Sequence, residues 1–265
     1  MILLSFIVFI ILILFSISIN ITESFKNQSK KKNCFIVISK EVTENMYNAY
    51  TETINGDLVF ISDKKPQLNN DNIIHYEQKL LKDSGFTNLH SRVNITSWDK
   101  AFYHISNNNL FKQYEYVWII EDDCYLNKNH FNEFIKNYDN NTEDLIIFGW
   151  YKTIKEKWDL WVLNKIGKDK TIFQHKNLRA SINQICRLSP RFVEEILKIR
   201  EKYNKFICHE LLFASVVEEK NLTILKESNP NIKISALINP YTKKTTKELE
   251  DENLIIVHPK KNWFN

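Results

Sequence analysis

Three adjacent carboxylates, Glu121, Asp122 and Asp123, follow the apolar run Tyr116–Ile120 in YVWIIEDDCYL. Crowded at the end of a buried strand, they repel one another and are costly to desolvate without a partner. A hard divalent cation with oxygen ligands relieves both costs. Side chains alternate in extended backbone, so if that geometry persists, Glu121 and Asp123 face one side and Asp122 the other. One face can then hold a metal and its ligand. The competing reading is a surface acidic turn. Such turns usually carry Gly, Pro or Asn, whereas this triplet continues into Cys124-Tyr125-Leu126.

The remaining composition narrows how a ligand could be held. Only 4 of 265 residues are Gly and 5 are Pro. Neither a G-x-G-x-x-G fingerprint nor a G-x-x-x-x-G-K-[ST] loop is present, and collagen-like or Gly/Ser-linker architectures are excluded. Phosphates would need another device, such as a metal on carboxylates. Hydrophobic residues make up 43% and aromatic residues 13%, enough for a sizeable core. The net charge of +4 is too weak to argue for a nucleic-acid partner. The four cysteines, Cys34, Cys124, Cys186 and Cys208, allow three pairings, lack metal-ligand spacing and fit buried thiols equally well.

Residues 1–19, MILLSFIVFIILILFSISI, carry no charge. As a helix they would span roughly 28 Å, close to the ~30 Å core of a bilayer. The run is longer than a usual signal-peptide core, which favours an uncleaved signal-anchor over cleavage near Ser16-x-Ser18. Lys26, Lys30, Lys31 and Lys32 follow the run and none precedes it. The positive-inside rule alone would leave the rest of the chain cytosolic, so a lumenal domain requires cleavage or an exception. The expectation is a single-pass protein of the ER/Golgi lumen or secretory route, bound to the membrane through this helix, with its orientation contested. Asn20, Asn27, Asn94, Asn140 and Asn221 begin N-x-[ST] sequons, and an Asn-rich chain yields roughly three by chance. The organisation reads as a signal-anchor or signal peptide at 1–20, a polar stem at 21–32 and one domain at 33–265.

Within that domain, short apolar runs alternate with helical spacing. Strands are expected at Cys34–Ser39, Asp57–Ser62, Asn72–Tyr76, Tyr116–Ile120, Leu145–Trp150 and Leu254–Val257. Helices are expected at Thr43–Ile54, Trp98–Ser106 with Ser97 as N-cap, His130–Tyr138, Pro190 to about Lys202, and Ile207–Lys220. Lys243–Glu252 reads as a solvated insert. This alternation predicts an α/β domain with a mostly parallel central sheet flanked by helices. Ligands of such sheets bind beyond the carboxyl ends of the strands, where the acidic triplet falls.

At these residues the chain resembles GT-A-fold glycosyltransferases, the nucleotide-diphospho-sugar transferase superfamily. YxYVWIIEDD is similar to their DXD-type motif, SWDKAFYHI to a WDKA-type helix, and QICRLSPRFVEEI to an RLS-P segment. DLVFISD ends in Asp63, FICHELLF carries Glu210, and LIIVHPKK carries His258. The resemblance runs from roughly Asn33 to Lys261.

It implies a GT-A-like domain that binds a nucleotide-diphosphate sugar and Mn²⁺ or Mg²⁺, and passes the sugar to a glycan or glycoprotein acceptor. It implies Asp123 as the main metal ligand, with Asp122 in support and His258 as a late third ligand. Imidazole in the set favours Mn²⁺ over Mg²⁺. Glu121 or Asp63 would face the ribose, and Lys100 and Lys260 the diphosphate. An inverting transfer would need a general base, for which Glu210 and then Asp159 are the candidates. Trp150, Tyr151, Trp158 and Trp161 could pack against an acceptor sugar. His209-Glu210-Leu211-Leu212-Phe213 lacks the second His of a zincin site. Two other classes stay open: an anchored carbohydrate- or nucleotide-sugar-binding protein of this fold without turnover, and another metal-dependent phosphoester or phosphodiester enzyme.

Overall fold

The computed structural model describes residues 30–87, 95–149, 151–153, 178–206, 208–235, 240–261 and 263–264. The expected anchor at 1–20, the sequon Asn94, and Trp150, Trp158, Asp159 and Trp161 lie outside them. Among the described residues no helix is long and apolar enough to cross a membrane.

The chain enters with β1 (Lys31–Ser39), α1 (Glu44–Thr53), β2 (Asp57–Ser62) and β3 (Ile73–His75). β2 runs parallel to both β1 and β3, and Ser39 lies level with Ser62. After α2 (Gln78–Asp83) and α3 (Ser97–Asn107) comes β4 (Tyr114–Glu121). Along β1 and β4, successive side chains enter two different cores. Cys34, Ile36, Ile38, Val117 and Ile119 lie in one; Phe35, Val37, Trp118 and Ile120 lie in the other. Both faces are covered, which is why these strands read as continuous apolar runs rather than alternating ones.

β5 (Tyr125–Leu126), α4 (Phe131–Lys136), β6 (Leu145–Ile147), β7 (Tyr151–Thr153), β8 (Arg179–Ser181) and β9 (Ile185–Leu188) follow. α5 (Pro190–Tyr203), α6 (His209–Lys220), β10 (Ile224–Lys226), β11 (Ile232–Ile234), α7 (Thr246–Asp251) and β12 (Ile256–His258) complete the set. The central sheet has seven strands in the order β10-β6-β9-β4-β1-β2-β3, with β11-β12-β5 forming a small second sheet. The architecture is mixed α/β with a mostly parallel central sheet. The departure is β9, antiparallel to both β4 and β6.

Several boundaries move from their expected places for identifiable reasons. The expected strand at 145–150 stops at Ile147. A Cβ on nearby Gly149 would meet Ile182 Cβ at 2.6 Å and its carbonyl at 2.8 Å, so glycine permits this close approach. The last strand is Ile256–His258 rather than 254–257. Leu254 closes α7 instead, its N–H donating to Leu249 O. The cap of α3 is Thr96, which forms a capping box with Asp99, and not Ser97.

The far end of α3 holds a buried imidazole. His104 Nδ1 lies 2.7 Å from Tyr76 Oη, and burial pushes its pKa down from 6.5 to about 4. Between those values the unfolded chain takes up a proton that the folded chain refuses. The contribution is therefore fully present above pH ~6.5 and lost as pH falls toward ~4. About 2 kcal/mol should disappear between pH 7.5 and pH 5. Urea unfolding at the two pH values is expected to show that drop in the wild type, and a drop smaller by this amount in His104→Gln. Equal drops in the two proteins would exclude His104 as the titrating group.

Candidate active site

The acidic triplet sits where β4 leaves the sheet. The N–H of Glu121 donates to Gln184 O at 2.8 Å and that of Asp122 to Ile38 O at 3.1 Å, so pairing reaches Asp122. The chain then turns, closed by Cys124 N–H on Glu121 O at 3.0 Å. From α1 the buried Tyr50 hydroxyl reaches over the same turn, 2.8 Å from Cys124 O and 3.2 Å from Glu121 O.

Beyond the turn, β5 pairs antiparallel with β12, placing Val257 opposite Tyr125 and Ile256 opposite Leu126. That register carries His258 back toward the acidic turn. The Lys260 N–H locks the approach by donating to Asp123 O at 2.7 Å. His258 Nε2 consequently lies 3.0 Å from Asp123 Oδ1 and 3.6 Å from Glu121 Oε2. Its Nδ1 lies 2.9 Å from Ser235 O. A carbonyl only accepts, so Nδ1 carries the proton and Nε2 is turned toward the carboxylates. A carbonyl behind an imidazole in this way is the usual support of a metal-binding histidine.

Glu121, Asp123 and His258 each offer one ligand atom, all within 4.8 Å of one another. Two carboxylates and an imidazole suit Mn²⁺ better than Mg²⁺. Their geometry and chemistry therefore fit a divalent cation. Burial and neighbouring charges shift the proton affinities of Glu121 and His258. Burial pushes Glu121 up to about 7; the Trp98 hydrogen bond and His258 oppose this, while Asp123 and Glu210 add to it. Burial pulls His258 down, but the Asp123 hydrogen bond and the charges of Asp123 and Glu121 outweigh it, so its pKa is raised.

Asp122, in the turn just after β4, faces the other way. Ser39 Oγ lies 2.5 Å from its Oδ2, and burial raises its pKa against that hydrogen bond. The structure thus gathers Asp123 and His258 with Glu121, while Asp122 braces the ends of β1 and β4. Asp63 ends β2 beside them, its N–H on Ser39 O at 2.9 Å. Ser97, displaced from the cap, donates to Asp63 Oδ2 at 3.0 Å.

The lysines are placed differently from a diphosphate clamp. Lys100 is buried, with Nζ 3.2 Å from Asp63 Oδ1 and 3.2 Å from Asp63 O. Lys260 directs Nζ to Thr242 O at 2.9 Å. Glu210 lies half-buried in the first turn of α6, where the Cys208 thiol approaches its Oε2 at 3.6 Å. The Tyr151 hydroxyl donates to Glu218 Oε1 at 2.6 Å on α6. All four cysteines are buried and none forms a disulfide.

Trp98, His209 and Ser235 also belong to the site and were not assigned to it from the sequence. Trp98 stood inside the SWDKA helix and His209 beside Glu210, so their neighbourhood was visible although their roles were not. Nothing local to Ser235 signals its backbone contact with His258.

No protein-family profile and no curated protein matches this chain. Among solved structures it is similar to three glycosyltransferases. One is the galactosyltransferase LgtC in complex with donor and acceptor sugar analogs, at 10% identity and a TM-score of 0.42, over 84% of this chain and 86% of that one. Another is a glycosyltransferase involved in glycosylation of the major capsid of PBCV-1, at 12% identity and a TM-score of 0.38, over 85% and 94%. The third is mouse xyloside xylosyltransferase 1 in its apo form, at 10% identity and a TM-score of 0.43, over 88% and 99%.

Proposed function

We propose that this chain is a metal-dependent glycosyltransferase that moves a sugar from a nucleotide-diphosphate sugar to a glycan or glycoprotein acceptor. The observation that carries this reading is the Glu121/Asp123/His258 cluster, set at the carboxyl ends of an α/β sheet in a chain with no Gly-rich phosphate loop. Glu121, Asp123 and His258 would hold Mn²⁺ or Mg²⁺, with Asp122 bracing the turn from behind. A bound cation supplies Lewis-acid stabilisation of the charge that develops on a diphosphate leaving group.

The protein's own residues supply the remaining parts. Glu210 stands near enough to influence Glu121 and is the candidate to accept the acceptor hydroxyl's proton, with Asp159 the second candidate. Asp63 ends its strand with the carboxylate partly open and is the candidate for the ribose hydroxyls. Lys100 acts through Asp63, fixing its direction. Lys260 fixes the acidic turn through its backbone. The N-terminal run at 1–20 is proposed as the membrane anchor, consistent with a place on the secretory route.

Thermal unfolding of the full chain with UDP-, GDP- and CMP-sugars, with and without Mn²⁺, tests the reading. One nucleotide class is expected to raise the midpoint only when Mn²⁺ is present. At a hundredfold excess over Kd the stabilisation is about 2.7 kcal/mol, a shift of several degrees. Absence of any metal-dependent shift would overturn the proposal. A shift with no turnover over a broad acceptor panel would replace it with a binding protein of the same fold.

A further inference from the structure

Glu121 meets the cluster with one oxygen. Its Oε2 faces His258, while Oε1 accepts a 2.9 Å hydrogen bond from the Trp98 indole N–H. Trp98 is itself buried and held on two sides. Its plane stacks on the His209 ring at 4.4 Å and 17°, and its edge meets Phe213 at 5.4 Å and 86°. His209 Nε2 lies 3.8 Å from the same Oε1. Two helices distant in sequence, α3 and α6, therefore converge on the Glu121 oxygen turned away from His258.

We infer that Trp98 is a positioning residue that commits Glu121 to single-oxygen presentation, with Oε2 directed at the cation and His209 holding the indole plane. This rests on the metal-site reading above. The choice of donor has a physical logic. An indole N–H only donates and never ionises in the working pH range. It fixes one carboxylate oxygen without bringing a positive charge that would compete with the cation. A Lys or Arg at the same place would neutralise the ligand it positions. A carboxylate without that contact would rotate, and its second oxygen would enter the ligand shell.

The test uses the full chain labelled with ¹⁵N at its 6 tryptophans. One indole N–H resonance is expected to move both on addition of diamagnetic Mg²⁺ and in Glu121→Gln, and to be the one missing from Trp98→Phe. Mn²⁺ affinity, read from the electron paramagnetic resonance of the free ion, is expected to weaken about 10–100-fold in Trp98→Phe. The unfolding midpoint is followed separately, so that lost packing is not taken for lost positioning. A folded Trp98→Phe with wild-type Mn²⁺ affinity would overturn the inference. So would a wild type that binds Mn²⁺ but in which no indole resonance answers Mg²⁺, a result that does not depend on any variant folding. A wild type that binds no Mn²⁺ would instead remove the metal-site reading itself.

Discussion

Asp123→Ala is expected to lower metal-dependent sugar transfer by about 10²–10³-fold while leaving the fold intact. Asp123 supplies the oxygen nearest the imidazole, 3.0 Å from His258 Nε2, and its backbone is fixed by Lys260. Losing it leaves one carboxylate and one imidazole, too few to hold a cation against water. A Lewis acid is worth several kcal/mol at a developing anion, and about 3–4 kcal/mol corresponds to that loss in rate. Stability should not fall with it. Asp123 raises the proton affinities of Glu121 and Cys124 through its charge, so its removal relieves a repulsion that offsets the lost contact with His258. Asp122→Asn is the informative contrast, because that carboxylate bonds Ser39 and faces away; an effect of about tenfold or less is expected. Initial rates across a Mn²⁺ titration, with circular dichroism as the control for folding, check both variants. Turnover with a wild-type metal response in Asp123→Ala would falsify the assignment of the cluster.

Arg187→Ala is expected to cost about 3–5 kcal/mol of stability, the range for truncating a large, well-packed buried side chain to Ala. Arg187 is almost fully buried in the middle of β9. Its guanidinium donates to Tyr138 O at 2.7 Å, Asn141 O at 2.9 Å and Glu143 O at 3.3 Å. It also lies over the Tyr116 ring at 3.8 Å. Truncation removes one donor from each carbonyl, although Tyr138 O keeps the Asn141 N–H and Asn141 O keeps the Tyr116 hydroxyl, and it opens a void beneath the ring. For a domain of this size each kcal/mol shifts the melting temperature by about 2–4 °C, so a drop of roughly 10 °C or more should appear by calorimetry. Arg187→Lys is expected to recover only part of it, since an ammonium cannot fork to three carbonyls along a plane. A melting temperature within about 2 °C of the wild type in Arg187→Ala would show that the network contributes little.

The same arginine explains one failure of sequence reading. Ile185-Cys-Arg-Leu188 contains a charged residue at its third position, so it lacks the clean apolar run that marked β4 and was not recognised as a strand. Tertiary partners override the pattern, because a turn after α4 provides the carbonyls that make burial of the guanidinium tolerable. β1, β2 and β4 were legible because both faces of each are covered and each carries a continuous apolar run. The acidic triplet was legible for a local reason too, three adjacent carboxylates at the end of an apolar run, but the extended geometry stops at Glu121 and a turn over Asp122 and Asp123 sets their directions instead. What alternation does not tell is which face turns toward His258. That depends on the pairing of β5 with β12, a register set between two segments far apart in the sequence. The lysines illustrate the same limit. Lys100 and Lys260 occupy suitable places in the chain, but the direction of a four-carbon side chain is decided by nearby acceptors, here Asp63 and Thr242.

The pairing of β5 with β12 also orders events in time. The carboxylates are synthesised near the middle of the chain, and the imidazole that completes their cluster arrives close to its end. Joining them is a contact of high sequence separation, the kind that forms late because a long loop must close first. A nascent chain emerging from the ribosome would present Glu121 and Asp123 without their third partner. The three-residue cluster would then be assembled only once β12 has paired, and fragments ending before β12 would carry two of its three members however well their central sheet had formed.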